Sequence, residues 1–469
     1  MRTFIGRKEE LEALEREYQR DSGFVVIYGR RRVGKTTLIK EFTKAKNALY
    51  FLATEELESL GKKRLLQAVA AFTGQDFLKN AHLDHWEDIF KIVADHNPDQ
   101  KKILVIDEFQ YLVQVNRSFP SLFQRIWDEI LKDRNVMVIL CGSLISLMTA
   151  NVLNYSSPLY GRRTAQIRLK PLKFSEIWDC YPQKQFKELV NLYALTGGVP
   201  KYLEFFLNDK TATENIRLNI FSKSGYLYEE PLFLLEKEVR ETVTYFSIMK
   251  AIAMGNHKLQ KIATALELKA NTLSPYLNTL IDLDFLEKRV PVTEKAPQKS
   301  RKGLYYISDS FIKFWFIFVY SFKGQLEIDN QHSAFAHFEQ HYVDSFLSFV
   351  FEDLCRDIFL YHCRSGAINF SPSKIGAYWS SESDIEIDLV AIDEHKKQIF
   401  LGECKYHETQ TLDLKTYSLL LEKSKDPIFK GYELFFILFS ASGFDQRLLE
   451  IATKNNNLLL ADKGRVVLP

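Results

Sequence analysis

The chain has 469 residues, 46% of them hydrophobic, and its 62 Lys plus Arg against 60 Asp plus Glu leave a formal charge of +2. That length supports two to four folded units. The even charge balance excludes a chain-wide basic field, so any contact with nucleic acid has to come from local patches. Five scattered cysteines without a C-x-x-C pair argue against a disulfide framework or a structural zinc, and a reducing, cytoplasmic setting is expected. The segment MRTFIGRKEE turns charged too early for a signal peptide. The longest apolar run, Phe311 to Phe322, is too short to span a bilayer and carries Lys313, so no membrane contact is expected.

Residues 1 to 170 alternate strand-like runs (GFVVIYG, ALYFLA, KILVIDEF, VMVILCGS, AQIRLKPL) with amphipathic stretches of helical length. An α/β core with a parallel sheet covered by helices is expected there. After its first strand, Gly29-Arg30-Arg31-Arg32-Val33-Gly34-Lys35-Thr36 fits G-x-x-x-x-G-K-[ST], and Thr37 follows in a helix-forming run. The glycines let backbone N–H groups curl around a β-phosphate, Lys35 neutralises the β- and γ-phosphates, and the Thr36 hydroxyl is a Mg²⁺ ligand. ATP and Mg²⁺ are therefore the expected ligands of this loop.

The third strand ends in Asp107-Glu108, a carboxylate pair at the edge where open α/β sheets bind ligands. Asp107 would hold Mg²⁺ through water, and Glu108 would polarise the attacking water. Ser143 closes the next strand, within reach of a γ-phosphate or the lytic water, although strands often end in Ser merely to turn. Arg162, with Arg163 beside it, precedes the fifth strand, and its guanidinium would neutralise transition-state charge in cis or in trans.

Taken together, FIGRKEELEAL, GRRRVGKTTLI, VIDEFQYL, PLYGRRT and GGVPKYL resemble the archaeal-type ATPases of the STAND group, relatives of AAA+ proteins. The resemblance implies that Gly6 and Arg7 lie near the adenine and that Pro200, in the turn of a helical lid, senses nucleotide. It also leaves room for a homo-oligomer.

Residues 171 to 240 read as that lid, broken at Thr196-Gly197-Gly198-Val199-Pro200. Between 241 and 325, KLQKIATALEL and KANTLSPYLNTLIDLDFLEKR have helix-turn-helix spacing, with Leu273, Leu277, Leu280 and Ile281 inward and Lys269, Asn271, Thr272 and Asn278 outward. A wing carrying Lys295, Lys299, Arg301 and Lys302 follows, so this segment looks like a winged helix, with DNA as partner set against plain domain packing. The aromatic run FIKFWFIFVYSF reads as a packing helix.

From 326 to 469 the chain runs helix, strands, helix, strand and helix. SDIEIDLVAIDEHKKQIFLGECKYH reads as a hairpin, and a four-residue loop at 394–397 sets Asp388 opposite Glu403. Two facing carboxylates repel unless a cation or a raised pKa relieves them; a Mg²⁺ ion is the expected relief, with Lys405 stabilising charge on a scissile phosphate. Asp388, Glu403-x-Lys405 and the upstream Glu352 resemble the PD-(D/E)xK restriction-endonuclease-like fold. That resemblance implies Glu352, Asp388 and Glu403 as metal ligands and Asp388, Glu403 and Lys405 as catalytic residues. The aspartate stands in EIDLV rather than after a proline, a departure from the motif. The leading expectation is an ATP-driven, DNA-associated enzyme; the alternative is a nucleotide-dependent regulator or scaffold whose last domain binds without cutting.

Overall fold

The computed structural model describes residues 4–207, 210–380 and 385–467. The chain divides into two compact units: Met1–Leu172 with Val199–Lys201 and Leu234–Arg240, and Lys173–Gly198 with Tyr202–Phe233 and Glu241–Pro469. The stretch 171–240 is thus shared between the two units rather than standing alone.

The first unit is a parallel five-stranded sheet of β1 (Gly23–Tyr28), β2 (Ala48–Leu52), β3 (Lys102–Asp107), β4 (Val136–Gly142) and β5 (Ala165–Arg168), in the order β2-β3-β4-β1-β5. Its central strands β1, β3 and β4 are buried along their whole length, which is why they read as unbroken apolar runs rather than alternating ones. Two apolar clusters cover the two faces. Phe24, Phe90, Phe109 and Phe123 lie in one, and Leu14, Leu38, Ile39 and Val105 in the other.

In the second unit, helices Leu259–Ala265 and Ala270–Asp282 precede an antiparallel ribbon of β6 (Leu286–Arg289) and β7 (Leu304–Ile307). Leu273, Leu277 and Leu280 are buried and Ile281 only half-buried, while Lys269, Asn271, Thr272 and Asn278 are exposed. The aromatic run forms helical turns from Ser310 to Phe322 whose rings pack on Phe221, Phe338 and Phe346, as its composition suggests.

The unit ends in a six-stranded sheet of β8 (Lys374–Trp379), β9 (Glu386–Asp393), β10 (Gln398–Lys405), β11 (Glu433–Ser440), β12 (Leu458–Asp462) and β13 (Arg465–Val467), ordered β13-β12-β11-β10-β9-β8. β8, β9 and β10 run antiparallel, and β10, β11 and β12 run parallel through the crossover helices Leu414–Lys423 and Gln446–Lys454. Helix Ser348–Ser365 covers one face, where Phe359 meets Phe400 at 5.3 Å between ring centroids. Ile399 and Leu401, on the alternate positions of β10, pack instead with Tyr417 and Leu420 of the first crossover helix. No helix among the described residues is long and apolar enough to cross a membrane.

Candidate functional sites

In the first unit the loop 29–34 joins β1 to helix Lys35–Thr43, and its backbone departs from ordinary conformations. Gly29 has φ 151°, Arg32 72° and Gly34 93°. A Cβ on Gly29 would stand 2.2 Å from the Leu169 carbonyl oxygen, so this position admits no side chain. Lys35 is buried and donates to the carbonyls of Gly29 and Arg30, both at 2.8 Å, folding its ammonium into the loop. Burial lowers its pKa, against the opposing pull of Cys141, Glu108 and Asp107.

Around that ammonium the carboxylates fall as their sequence positions suggest. Thr36 Oγ1 donates to Asp107 Oδ2 at 2.8 Å, bringing a hydroxyl and a carboxylate oxygen together, a donor set suited to a hard divalent cation. Glu108 takes the left-handed conformation, φ 56°, which turns it out of line with β3. Its Oε2 accepts from Ser143 Oγ at 2.7 Å and from Gln110 Nε2. Two contributors escape sequence reasoning. Tyr50 of β2 donates its hydroxyl to Asp107, and burial together with that bond raises the phenol's pKa. Gln110, buried at the start of a helix, is the other.

The outlying positions sort themselves by distance from this loop. Pro200 lies against it, its Cγ 3.6 Å from where a Gly34 Cβ would stand. The Arg7 guanidinium donates to Val33 O at 2.9 Å and Lys170 O at 2.7 Å, tying the N-terminal segment, with Gly6 at φ 63°, to the loop's flank. Arg31 reaches Tyr111 Oη at 3.3 Å. Val33 is buried, and Thr37 sits in the first helical turn.

Arg162 requires a correction. It precedes β5, whose neighbour Thr164 bonds Phe24 at the start of β1, whereas the loop follows the end of β1. Five residues of strand, roughly 16 Å at about 3.3 Å each, separate the two levels. Its guanidinium is held instead by Asp128 at 3.0 Å. A role in cis at its own loop is therefore ruled out by position.

In the second unit the predicted hairpin register holds: Gln398↔Asp393 through Gly402↔Leu389 are paired, and Asp388 and Glu403 are the next step beyond the last pair. There the Asp388 carboxylate replaces a ladder bond, accepting from Cys404 N–H at 2.9 Å. Lys405 Nζ bridges the acids, 3.2 Å from Asp388 Oδ2 and 2.9 Å from Glu403 Oε2, and Lys423 Nζ holds Glu403 Oε1 at 2.5 Å. Burial works against the Lys405 ammonium, yet the two carboxylates outweigh it and raise its pKa.

Two expectations change here. The facing acids are relieved by two lysines of the chain itself, so a divalent ion is not the sole means of tolerating them. Glu352 does not complete a metal triad: among the described residues no three His, Cys, Asp or Glu side chains converge as a metal group. The reason is strand alternation, since Glu352 rides on the helix that packs on the Phe400 face of β10 while Glu403 and Lys405 share the alternation of Ile399 and Leu401. Glu352, Asp388, Glu403, Lys405 and Lys423 nonetheless line one cavity of about 830 Å³. Burial, then the nearby Asp388 carboxylate, pushes the Glu352 pKa up to about 8. Burial likewise brings that of Lys313, on the same cavity, down to about 8.

Comparison with known proteins places an ATPase domain over the first unit. Residues 4–206 match an ATPase domain predominantly from Archaea, and residues 315–417 match a family of archaeal and bacterial proteins of unknown function. The Walker-type ATPase PABY2304 of Pyrococcus abyssi shares the fold, with a TM-score of 0.52 at 20% identity over 67% of this chain and 96% of that chain. The ATP-binding protein MJ0423 of Methanocaldococcus jannaschii is 54% identical over 44 residues, 9% of this chain and 75% of that protein. Protein MJECL04 of the same organism is 35% identical over 439 residues, spanning 93% of this chain and 95% of that protein. The chain belongs to the same family as MJECL04, and it opens with an ATPase domain of the archaeal type.

Proposed function

We propose that the first unit binds and hydrolyses ATP with the residues gathered at its loop, and that the second unit carries a DNA-directed, restriction-endonuclease-like site served by a winged helix. At the loop, Lys35 leaves its carbonyl partners for the β- and γ-phosphates, and the N–H groups of residues 30–36 cradle the anion. Thr36 and Asp107 would hold Mg²⁺, which supplies charge neutralisation on the phosphates when bound. Glu108, steadied by Ser143 and Gln110, orients the attacking water. Gly6 and Arg7 flank the adenine, and Pro200 reports occupancy of the loop. Arg162 would serve only the nucleotide of another copy, which implies a homo-oligomer in the hydrolysing state.

In the second unit, the observation that carries the reading is the convergence of Asp388 and Glu403 on one ammonium. Two acidic oxygens that share a cation form the donor set Mg²⁺ takes with one or two carboxylates, completed by waters and substrate phosphate. Asp388 and Glu403 would hold the ion, which supplies Lewis acidity at a phosphodiester when bound. Lys405 then offers its proton-rich ammonium to charge building on the scissile phosphate. Helices Leu259–Ala265 and Ala270–Asp282 with the ribbon β6–β7 are the winged helix of this reading, and the exposed Lys269, Asn271, Thr272 and Asn278 are its groove-facing residues.

One observation favours a second reading. Lys423 and Lys405 already satisfy Glu403, as they would in a domain that binds nucleic acid or protein without cutting. The two readings separate on incubating purified protein with plasmid and Mg²⁺ or Mn²⁺, with and without ATP, beside Asp388→Ala. Metal-dependent nicking lost in the variant supports the enzyme; binding without nicking favours the regulator.

A further inference from the structure

Six carboxylates line the cavity, Glu287, Glu352, Asp353 and Glu386 together with Asp388 and Glu403, and so do five Lys and Arg side chains: Arg289, Lys313, Arg356, Lys405 and Lys423. Four of these five cations are engaged. Arg289 pairs with Asp353 at 2.8 Å, Arg356 donates to the Asp388 carbonyl at 2.8 Å, and Lys405 and Lys423 hold the acids described above. Lys313, alone of these five, has no side-chain hydrogen bond or ion pair to the described residues; the acid that acts on its ammonium is Glu352, from beyond ion-pair distance. Its ammonium lies 4.6 Å from the centre of the Phe349 ring and 6.0 Å from that of Phe346. Aromatic faces stabilise a cation only modestly. A desolvated ammonium outside ion-pair distance of any acid, whose acidic neighbour Glu352 is itself drawn toward its protonated form by burial, leaves a place on the cavity for an anion that the chain itself does not supply.

The cavity's size limits which anion. At about 830 Å³ it falls within the range of pockets for small molecules. A sphere of that volume is about 12 Å across, no wider than the major groove of B-DNA alone, so a continuous duplex does not enter. One to three nucleotides of an unpaired strand do.

We propose that this cavity takes an unpaired nucleic-acid strand, with Lys313 as the residue that binds its backbone phosphate. The assignment rests on reading the second unit as nucleic-acid directed, and extends it from DNA in general to single-stranded or splayed DNA. Lys313 lies outside the Glu403-x-Lys405 motif, in the aromatic packing run.

The test is calorimetric binding of the trinucleotide (dT)₃ to the full chain in EDTA, where no cleavage occurs, so a strand site is detected whether or not the domain cuts. Lys313→Met keeps the apolar stem on Phe349 and removes the charge; it is expected to bind about tenfold more weakly, with the slope of log affinity against log salt falling by about 0.7. Lys313→Arg restores binding to within about threefold, which a merely structural role would not produce. The same binding in a Lys35→Ala background excludes the ATP loop as the site, and a hairpin duplex competes poorly. Unchanged binding in Lys313→Met overturns the proposal, as does duplex competing as well as single strand. Inorganic phosphate binding as tightly as (dT)₃ overturns the strand assignment. If (dT)₃ binds as expected while plasmid stays intact, the nuclease reading falls and this one stands.

Discussion

The ATP loop gathers its ligand groups from eight consecutive residues, Gly29 to Thr36, whereas the acidic site of the second unit draws Asp388, Glu403 and Lys423 from two strands and a helix. The first presents backbone N–H groups held by glycine conformations, the second side chains whose charges cancel in pairs. In the first the backbone is set before a ligand arrives, and Lys35 alone of the loop's groups has to leave its carbonyl partners. A cluster of the second kind is satisfied in itself, and any ligand has to displace a lysine.

Variants that break each site should therefore fail differently. The largest effect is expected at Lys35: Lys35→Ala should lower ATP turnover by at least about a thousandfold, the scale of removing a phosphate-clamping cation, and abolish tight binding in nucleotide titrations. Retained micromolar affinity would remove Lys35 from its role. Gly29→Ala adds a Cβ 2.2 Å from the Leu169 carbonyl. The loop has to shift, and ATP affinity should fall about a hundredfold, on the order of 3 kcal/mol of strain, while the melting temperature of the second unit is unaltered.

Breaking the acidic site should show in stability. Glu403→Ala leaves Lys405 and Lys423 without their shared partner and should cost about 2 kcal/mol in denaturant unfolding, below the full range for buried pairs because both lysines are partly exposed. Adding Lys423→Ala should return part of that loss; no recovery would mean that the pair is not coupled. At the first site, Ser143→Ala removes one of the bonds that steady Glu108, and a tenfold fall in kcat at unchanged ATP affinity is expected.

A separate effect concerns pH. The Glu352 pKa is raised from 4.5 to about 8, so the folded chain binds this proton more tightly than the unfolded one does. Its contribution to stability is full below about pH 4.5 and is lost as pH rises to about 8. Unfolding free energies measured across that window should fall less steeply in Glu352→Gln, and parallel curves for the two proteins would show that Glu352 ionises as in water.

How much of this is legible in the sequence follows the same contrast. The P-loop, the Asp107-Glu108 pair and Ser143 are visible because each sits at the end of an apolar strand run, and parallel packing fixes where those ends go. The β9–β10 register was legible too, since a four-residue loop and period-two alternation leave one pairing. Hidden were the partners that arrive from elsewhere: Tyr50 at Asp107, Gln110 at Glu108, Lys423 at Glu403. Each is one polar residue in an amphipathic stretch, and nothing local separates it from a solvated surface position. Arg162 is the exception: it precedes a strand, and in the parallel sheet read from these runs every strand starts at the edge opposite the loop, so its position speaks against a role in cis.

The account turns on whether Asp388 and Glu403 exchange their lysines for a divalent ion. Mn²⁺ titration of the nucleotide-free protein, followed by electron paramagnetic resonance, measures this directly. The account predicts a site that is lost in Asp388→Asn, kept in Lys35→Ala, and tighter in Lys423→Met, where one competing ammonium is gone. Mn²⁺ binding that is absent, or indifferent to Asp388 and Lys423 alike, would contradict it and leave the second unit as a lysine-neutralised binding domain beside an ATPase.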